Sequence, residues 1–302
     1  MNNTLLGSFY LSLAASIWGG MYVVVKVVVD TVPPLELVWL RYVIALFALL
    51  VIGALTKQSW RVAKRDWLLI ISIGFIGNTI SIVTQEVGTM LSSAQMGAII
   101  TSTTPAFMVL FARMILKEKI TAKKAISIVL ATVGCCVIVG TAHIDTANQL
   151  GGISLMIAAL TWSLMSVLVK RVPGQYSQIV VTSYSILVAI AMLTPFTLGR
   201  LPKLDFQAMM QPSIWGGLLY LGVISTACGF LLWNRGLQKL NASSGGLFFF
   251  FQPIVGTFLG WLLLGEQIGL SFWMGTAFIF IGVLLVIRDD RAQKETKHVL
   301  TE

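Results

Sequence analysis

Ala14-Ala15-Ser16-Ile17-Trp18-Gly19-Gly20-Met21-Tyr22-Val23-Val24-Val25-Lys26 has a near-copy at Ala158-Ala159-Leu160-Thr161-Trp162-Ser163-Leu164-Met165-Ser166-Val167-Leu168-Val169-Lys170. The Ala-Ala pair, Trp, Met, two of the valines and the final Lys coincide at an offset of 144 positions, counted from Ala14 to Ala158. Farther along the offset becomes 148. Gly74, Gly88, Ala94, Gly97, Pro105, Leu116, Glu118, Ile120 and Gly134 then face Gly222, Gly236, Ala242, Gly245, Pro253, Leu264, Glu266, Ile268 and Gly282. Two halves on one plan, in a chain of this polarity, predict a membrane carrier built from internal repeats.

Composition supports the membrane half of that statement. The 302 residues are 57% hydrophobic and 11% charged, with a mean hydropathy of +0.87; soluble domains carry roughly 25% charged residues. A hydrocarbon core of about 30 Å needs about 20 apolar residues in a helix. Ten segments meet that need, near residues 5–28, 35–56, 67–88, 92–115, 121–142, 150–170, 178–199, 213–235, 242–264 and 269–288. None alternates with period two, so helices are expected and not a barrel. Pro33-Pro34, Lys64-Arg65-Asp66, Lys123-Lys124, Pro173-Gly174, Pro202 and Pro212 separate them. The first segment lacks the basic start of a signal peptide, and its cleavage would discard half of a repeat.

A net charge of +9 raises the question of nucleic acid, and its distribution argues against such a partner. With the N-terminus inside, all 21 basic residues except Lys26, Arg41, Arg200 and Lys203 fall in cytoplasmic segments. This is the positive-inside bias of a protein of the cytoplasmic membrane, with both termini predicted cytoplasmic. Five spans per half is an odd number, so the second half should cross the bilayer inverted. The expected fold is all-α and integral to the membrane: ten transmembrane helices as two inverted five-helix repeats. Residues 1–145 and 146–290 form the repeats, and 291–302 a cytoplasmic tail.

The motifs Thr104-Pro105-(x10)-Leu116-(x)-Glu118-(x)-Ile120 and Gln252-Pro253-(x10)-Leu264-Gly265-Glu266-(x)-Ile268 resemble the EamA-type family of the drug/metabolite transporter superfamily. Ala14-Ala15-(x2)-Trp18-Gly19 and Trp39-Leu40-Arg41-Tyr42 are similar to that family's first two spans. The resemblance covers essentially the whole chain. It implies a ten-helix exporter of small metabolites such as amino acids, and a basic residue at Arg41. An acid at Glu86 departs from the family, where an apolar residue is usual.

Candidate substrate residues follow from position. Pro105 and Pro253 lie within repeat-mate spans 4 and 9, where a proline frees the carbonyl four residues earlier, at Thr101 and Phe249. With Ser102, Thr103, Thr104 and Gln252 they form either opposite walls of a central cavity or bends that serve packing. Arg41 and Glu86 fall at similar depth inside spans. They can bind a substrate carboxylate and exchange a coupling proton, or form a structural pair, or Glu86 can simply reach the interface. Trp18, Tyr22 and Trp162, with Ser163 and Ser166 on the same face as Trp162, offer solute contact or helix packing; Tyr184, Phe248 and Trp233 are further aromatic candidates. Gly19-Gly20, Gly134 and Gly245-Gly246 are expected at close helix contacts. Lys26 and Lys170 are expected to reach the headgroups, and Glu118 and Glu266 to sit in tight turns just before spans 5 and 10, bonding the free N–H groups of those helix N-termini.

Enzymatic chemistry has little support. His143 and His298 lie outside the spans; Cys135, Cys136 and Cys228 lack metal spacing; no phosphate-binding glycine loop occurs. No cofactor or metal is expected. The partners are a small-molecule solute, the lipid bilayer and a coupling proton. A membrane-embedded lipid-handling enzyme and a non-transporting scaffold are the alternatives.

Overall fold

A computed structural model describes residues 3–92, 100–101, 103–139, 149–264 and 269–299; among these residues the regular structure is helical throughout, with no strand. In chain order the helices are α1 (Asn3–Val29), α2 (Pro34–Leu55), α3 (Lys64–Leu91), α4 (Thr104–Leu116), α5 (Ala122–Val139), α6 (Gln149–Val169), α7 (Gln178–Thr197), α8 (Pro212–Lys239), α9 (residues 242–264) and α10 (Leu270–Val299). Six of them, α1, α2, α3, α6, α7 and α8, are long and apolar enough by themselves to cross a membrane. Large apolar side chains such as Phe47, Leu55, Leu68, Leu150 and Leu270 are more than two-thirds exposed, as suits an outer surface solvated by hydrocarbon.

Local sequence explains the helix ends. Pro34 occupies the first turn of α2, where its missing N–H is no loss. The Ser177 hydroxyl accepts from the Ile179 N–H and caps α7. Both α3 and α8 are interrupted by nine-residue π-helical stretches, Ile73–Ser81 and Tyr220–Cys228, at corresponding places in the two halves. In each stretch a threonine hydroxyl bonds the carbonyl five residues back, Thr79 to Gly74 at 3.1 Å and Thr226 to Leu221 at 2.7 Å. That spacing matches the i→i+5 ladder.

Packing runs across the halves. α1 lies against α8 and α9, and its mate α6 lies against α3 and α4; α2 meets α7 and α8, and α7 meets α3. α5 and α10 run antiparallel in close contact. A Cβ at Gly134 would come within 2.5 Å of the Gly275 carbonyl, and one at Gly282 within 2.9 Å of the Ser127 carbonyl. Those two contacts are images of each other at the offset of 148, so the pair is self-complementary. Close approach also requires Gly19, whose Cβ would sit 2.7 Å from the Gln252 carbonyl in α9.

Polar side chains near the helix ends join elements in ways the sequence did not reveal. Lys26 Nζ reaches the Ser92 carbonyl at 3.4 Å, and Lys170 Nζ reaches the Leu237 and Leu240 carbonyls at 2.7 and 2.6 Å. Ser92 and Leu240 correspond at the 148 offset, so each lysine stabilises the carbonyl end of the third helix of its own half. Snorkelling to headgroups was the expectation. A carbonyl end held in reach of each lysine gives the ammonium fixed partners instead. Glu118 was expected at the start of α5, but it meets the N-terminus of α9 in the other half: its carboxylate accepts from the Ala242 N–H (2.8 Å), the Ser243 N–H (3.1 Å) and the Ser243 hydroxyl (2.5 Å). The buried Lys124 donates to the same hydroxyl at 2.8 Å. Glu118→Ala is expected to lower stability by about 1–3 kcal/mol, read as a fall in melting temperature of the purified protein. An unchanged melting temperature would remove the capping role. Glu266 lies outside the described residues.

A buried arginine and an aromatic cluster between the halves

The centre of the molecule is built on Trp18. Its ring meets Trp162 edge-on at 5.2 Å, Phe230 at 6.0 Å, Trp233 at 5.4 Å and Phe249 at 5.8 Å. These rings come from α1, α6, α8 and α9, so both halves contribute. The π-helical stretch of α8 positions the polar side of the cluster, with the Ser225 carbonyl accepting the Trp18 indole N–H at 2.9 Å. In the first half the matching stretch offers the Asn78 carbonyl to the Tyr42 hydroxyl at 2.7 Å.

Arg41 lies beside this cluster with its side chain fully buried. Its Nη1 pairs with Glu86 Oε1 at 2.5 Å, its Nε donates to Thr226 Oγ1 at 2.9 Å, and its Nη2 donates to Ser225 Oγ at 3.2 Å. One guanidinium therefore ties α2 and α3 of the first half to α8 of the second. When the starts of α2 and α7 are aligned, Pro34 with Gln178, Arg41 corresponds to Ser185; at the later offset Glu86 corresponds to Asn234. Asn234 donates to Thr182 of α7 at 3.0 Å, a neutral bridge where the first half has a charged one.

A small cavity opens between these groups, bordered by Trp18, Met21, Tyr22, Arg41, Ile82, Gln85, Thr101, Thr104, Ala158, Ala159, Trp162, Phe230, Phe249 and Gln252. Its free space of about 20 Å³ holds a water molecule and not a solute, so a solute enters only if the helices part. Two donors on its wall, the Trp162 indole N–H and the Gln85 side-chain amide nitrogen, are buried and have no partner among the described residues; nor does Glu86 Oε2. A buried polar group without a partner is costly, and an acceptor-bearing ligand would relieve that cost at both donors.

Of the residues singled out from the sequence, Trp18, Tyr22, Arg41, Thr101, Trp162 and Gln252 border this cavity, and Glu86 stands behind Arg41. Tyr22 donates to Thr101 Oγ1 at 3.3 Å. Thr103 bonds the Ile100 carbonyl and does not line the space, where Thr104 does. Ser166 accepts from Trp233 Nε1 at 3.1 Å, away from the cavity. Ser102 lies outside the described residues. Pro105 falls in the first turn of α4, and Pro253 opens the α-helical part of α9 after a 3-10 stretch, Gly246–Phe250. Both prolines therefore mark junctions between helical segments, where a missing N–H is tolerated, and neither interrupts a continuous α-helix. Tyr184 is remote, bonded to the Trp60 carbonyl, and Phe248 stacks on Phe251. Gln85, Ser225, Thr226 and Phe230 were not anticipated; a polar residue adjoining Glu86 in an apolar span was the available signal for Gln85.

Apolar helices long enough to cross a membrane, in two cross-packed halves around a buried arginine, are the architecture of a multi-pass membrane protein. The chain belongs to the EamA-like transporter family, whose model matches residues 5–140 and again residues 149–288. It is 70% identical over 79 residues to a putative permease-like protein, YdzE, of Bacillus subtilis, a match that spans 26% of this chain and 99% of that protein. An uncharacterized transporter of Archaeoglobus fulgidus is 26% identical over 92% of this chain and 97% of its own length. YoaV of Bacillus subtilis, also an uncharacterized transporter, is 25% identical over 94% of this chain and 97% of its own length. A solved crystal structure shares the fold with a TM-score of 0.74 at 18% identity, covering 94% of this chain and 97% of that one.

Proposed function

We propose that the protein is a secondary active transporter of the cytoplasmic membrane that exports small metabolites, amino acids, related compounds or drugs, by alternating access. Ten spans in two inverted repeats, residues 1–145 and 146–290, place both termini in the cytoplasm. The basic-residue bias and the antiparallel mates α5 and α10 support that topology. The observation that carries the reading is Arg41, held at once by Glu86 of one half and by Ser225 and Thr226 of the other, on the wall of the central cavity. An incoming carboxylate competes with Glu86 for the guanidinium. Glu86, whose pairing with Arg41 is broken and remade in each cycle, exchanges a proton. Trp162 and Gln85 donate to the solute's remaining acceptors, and the aromatic rings enclose its apolar part.

The test is flux in proteoliposomes across a panel of labelled amino acids and drug-like compounds, with an internal pH dye. Solute movement with accompanying proton movement is the expected result; absence of both across the panel would overturn the reading. Trp162→Phe, which keeps a ring and deletes the unpartnered N–H, is expected to leave the melting temperature unchanged while weakening solute affinity about 3- to 10-fold. An affinity equal to that of the unaltered protein would take Trp162 out of the solute's contacts.

A further inference from the structure

A second cavity, wider at about 690 Å³, lies where α1 and α7 begin and α8 ends. Asn3, Gln178, Arg235, Gln238 and Lys239 supply its polar wall, and Leu6 and Tyr10 its apolar one. Two cations and no carboxylate border it among the described residues. Arg235 is exposed and has no ion-pair partner there, and Lys239 donates to Asn3 Oδ1 at 3.3 Å. Gln178 is only 9% exposed, yet its amide oxygen has no partner among the described residues.

The backbone adds to the positive field. α7 runs for 20 residues from Gln178, so its positive end is at the cavity. The opposing negative end of α8 is offset, because Lys170 occupies the Leu237 and Leu240 carbonyls. Leu5 and Phe9, next in sequence to the cavity-lining Leu6 and Tyr10, are 44% and 57% exposed on α1.

We propose that this cavity binds a phosphate group, carried by an anionic phospholipid or by a soluble phosphate compound, with Arg235 and Lys239 as its counter-ions. The guanidinium fork of Arg235 matches two phosphate oxygens, Lys239 supplies a point charge, and the Gln178 amide bonds a polar substituent of the headgroup. A lipid held there lays its acyl chains along Leu5 and Phe9. The site sits beside the close approach of Gly7 in α1 and Gly236 in α8, so its ligand joins the first half to the second. It is independent of which solute the central cavity carries.

The test uses the full chain in a neutral detergent, with thermal unfolding followed against dioctanoyl-phosphatidylglycerol, dioctanoyl-phosphatidylcholine and inorganic phosphate. Binding of phosphatidylglycerol, weakened tenfold or more by Arg235→Gln and further by Lys239→Gln, is the expected result. Stabilisation by phosphatidylglycerol alone identifies a lipid site; stabilisation by inorganic phosphate as well identifies the phosphate group itself as sufficient. Binding of neither, binding of phosphatidylcholine with equal affinity, or affinity unchanged in the double variant would overturn the proposal. Arg235→Lys, which keeps the charge and loses the fork, covers the case in which the glutamine variants do not fold. It should bind more weakly than the unaltered protein, and equal binding also counts against the site.

Discussion

Arg41→Gln is expected to abolish detectable solute flux and to destabilise the protein by about 3–5 kcal/mol, because it leaves Glu86 as a buried charge without a counter-ion. The Arg41 and Glu86 side chains are both 0% exposed, so water cannot take the arginine's place without rearrangement. Glu86→Gln should cost less stability, since the amide oxygen still accepts from Arg41, but it removes the proton acceptor. Its expected signature is solute movement without proton movement in liposomes. The double variant Arg41→Gln, Glu86→Gln separates structure from transport. It should recover most of the melting temperature lost in Arg41→Gln and none of the flux. Recovery of flux in the double variant would make the pair purely architectural.

Trp18→Ala is the second large effect, a loss of about 3–5 kcal/mol from the cavity left behind. Trp18 touches four other rings and is 4% exposed, so the surrounding helices have little freedom to close the gap. Deletion of the indole N–H also leaves the Ser225 carbonyl without its donor, which loosens the stretch that holds Arg41. Trp18→Phe divides the two contributions, because it retains most of the packing and loses only the hydrogen bond, an effect of about 1 kcal/mol. Denaturation of both variants in the same detergent checks the split; equal losses would show that the hydrogen bond, and not ring volume, dominates.

The repeat, the helical class and the pairing of Trp18 with Trp162 could be read from residue spacing, because apolar periodicity and recurring side chains survive duplication. Arg41 and Glu86 were legible as a pair because a charge inside an apolar span has few alternatives. The π-helical stretches were not legible. Tyr220–Cys228 has the composition of any apolar helix, and apolar periodicity does not separate an i→i+5 ladder from the ordinary one. Ser225 and Thr226, which lie in that stretch and bond Trp18 and Arg41 of the other half, were missed with it. Glu118 was placed at the start of the helix that follows it, α5, but the start it caps is that of α9, 124 residues away, and no local rule reaches that far. Pro105 and Pro253 showed where a helix must change; the sequence alone could not show that the change is a junction.

The contact between Gly134 and Gly275, with its image between Gly282 and Ser127, has an energetic consequence for the proposed alternating-access cycle. In that cycle a seam that is its own two-fold partner would present the same surfaces whichever half tilts and would favour neither direction of opening. Any resting preference must then come from positions where duplication has been undone. The charged bridge of Arg41 and Glu86 against the neutral one of Asn234 and Thr182 is the plainest of these. In that cycle symmetric scaffolding would supply the balance point, and the unmatched ion pair would tip it.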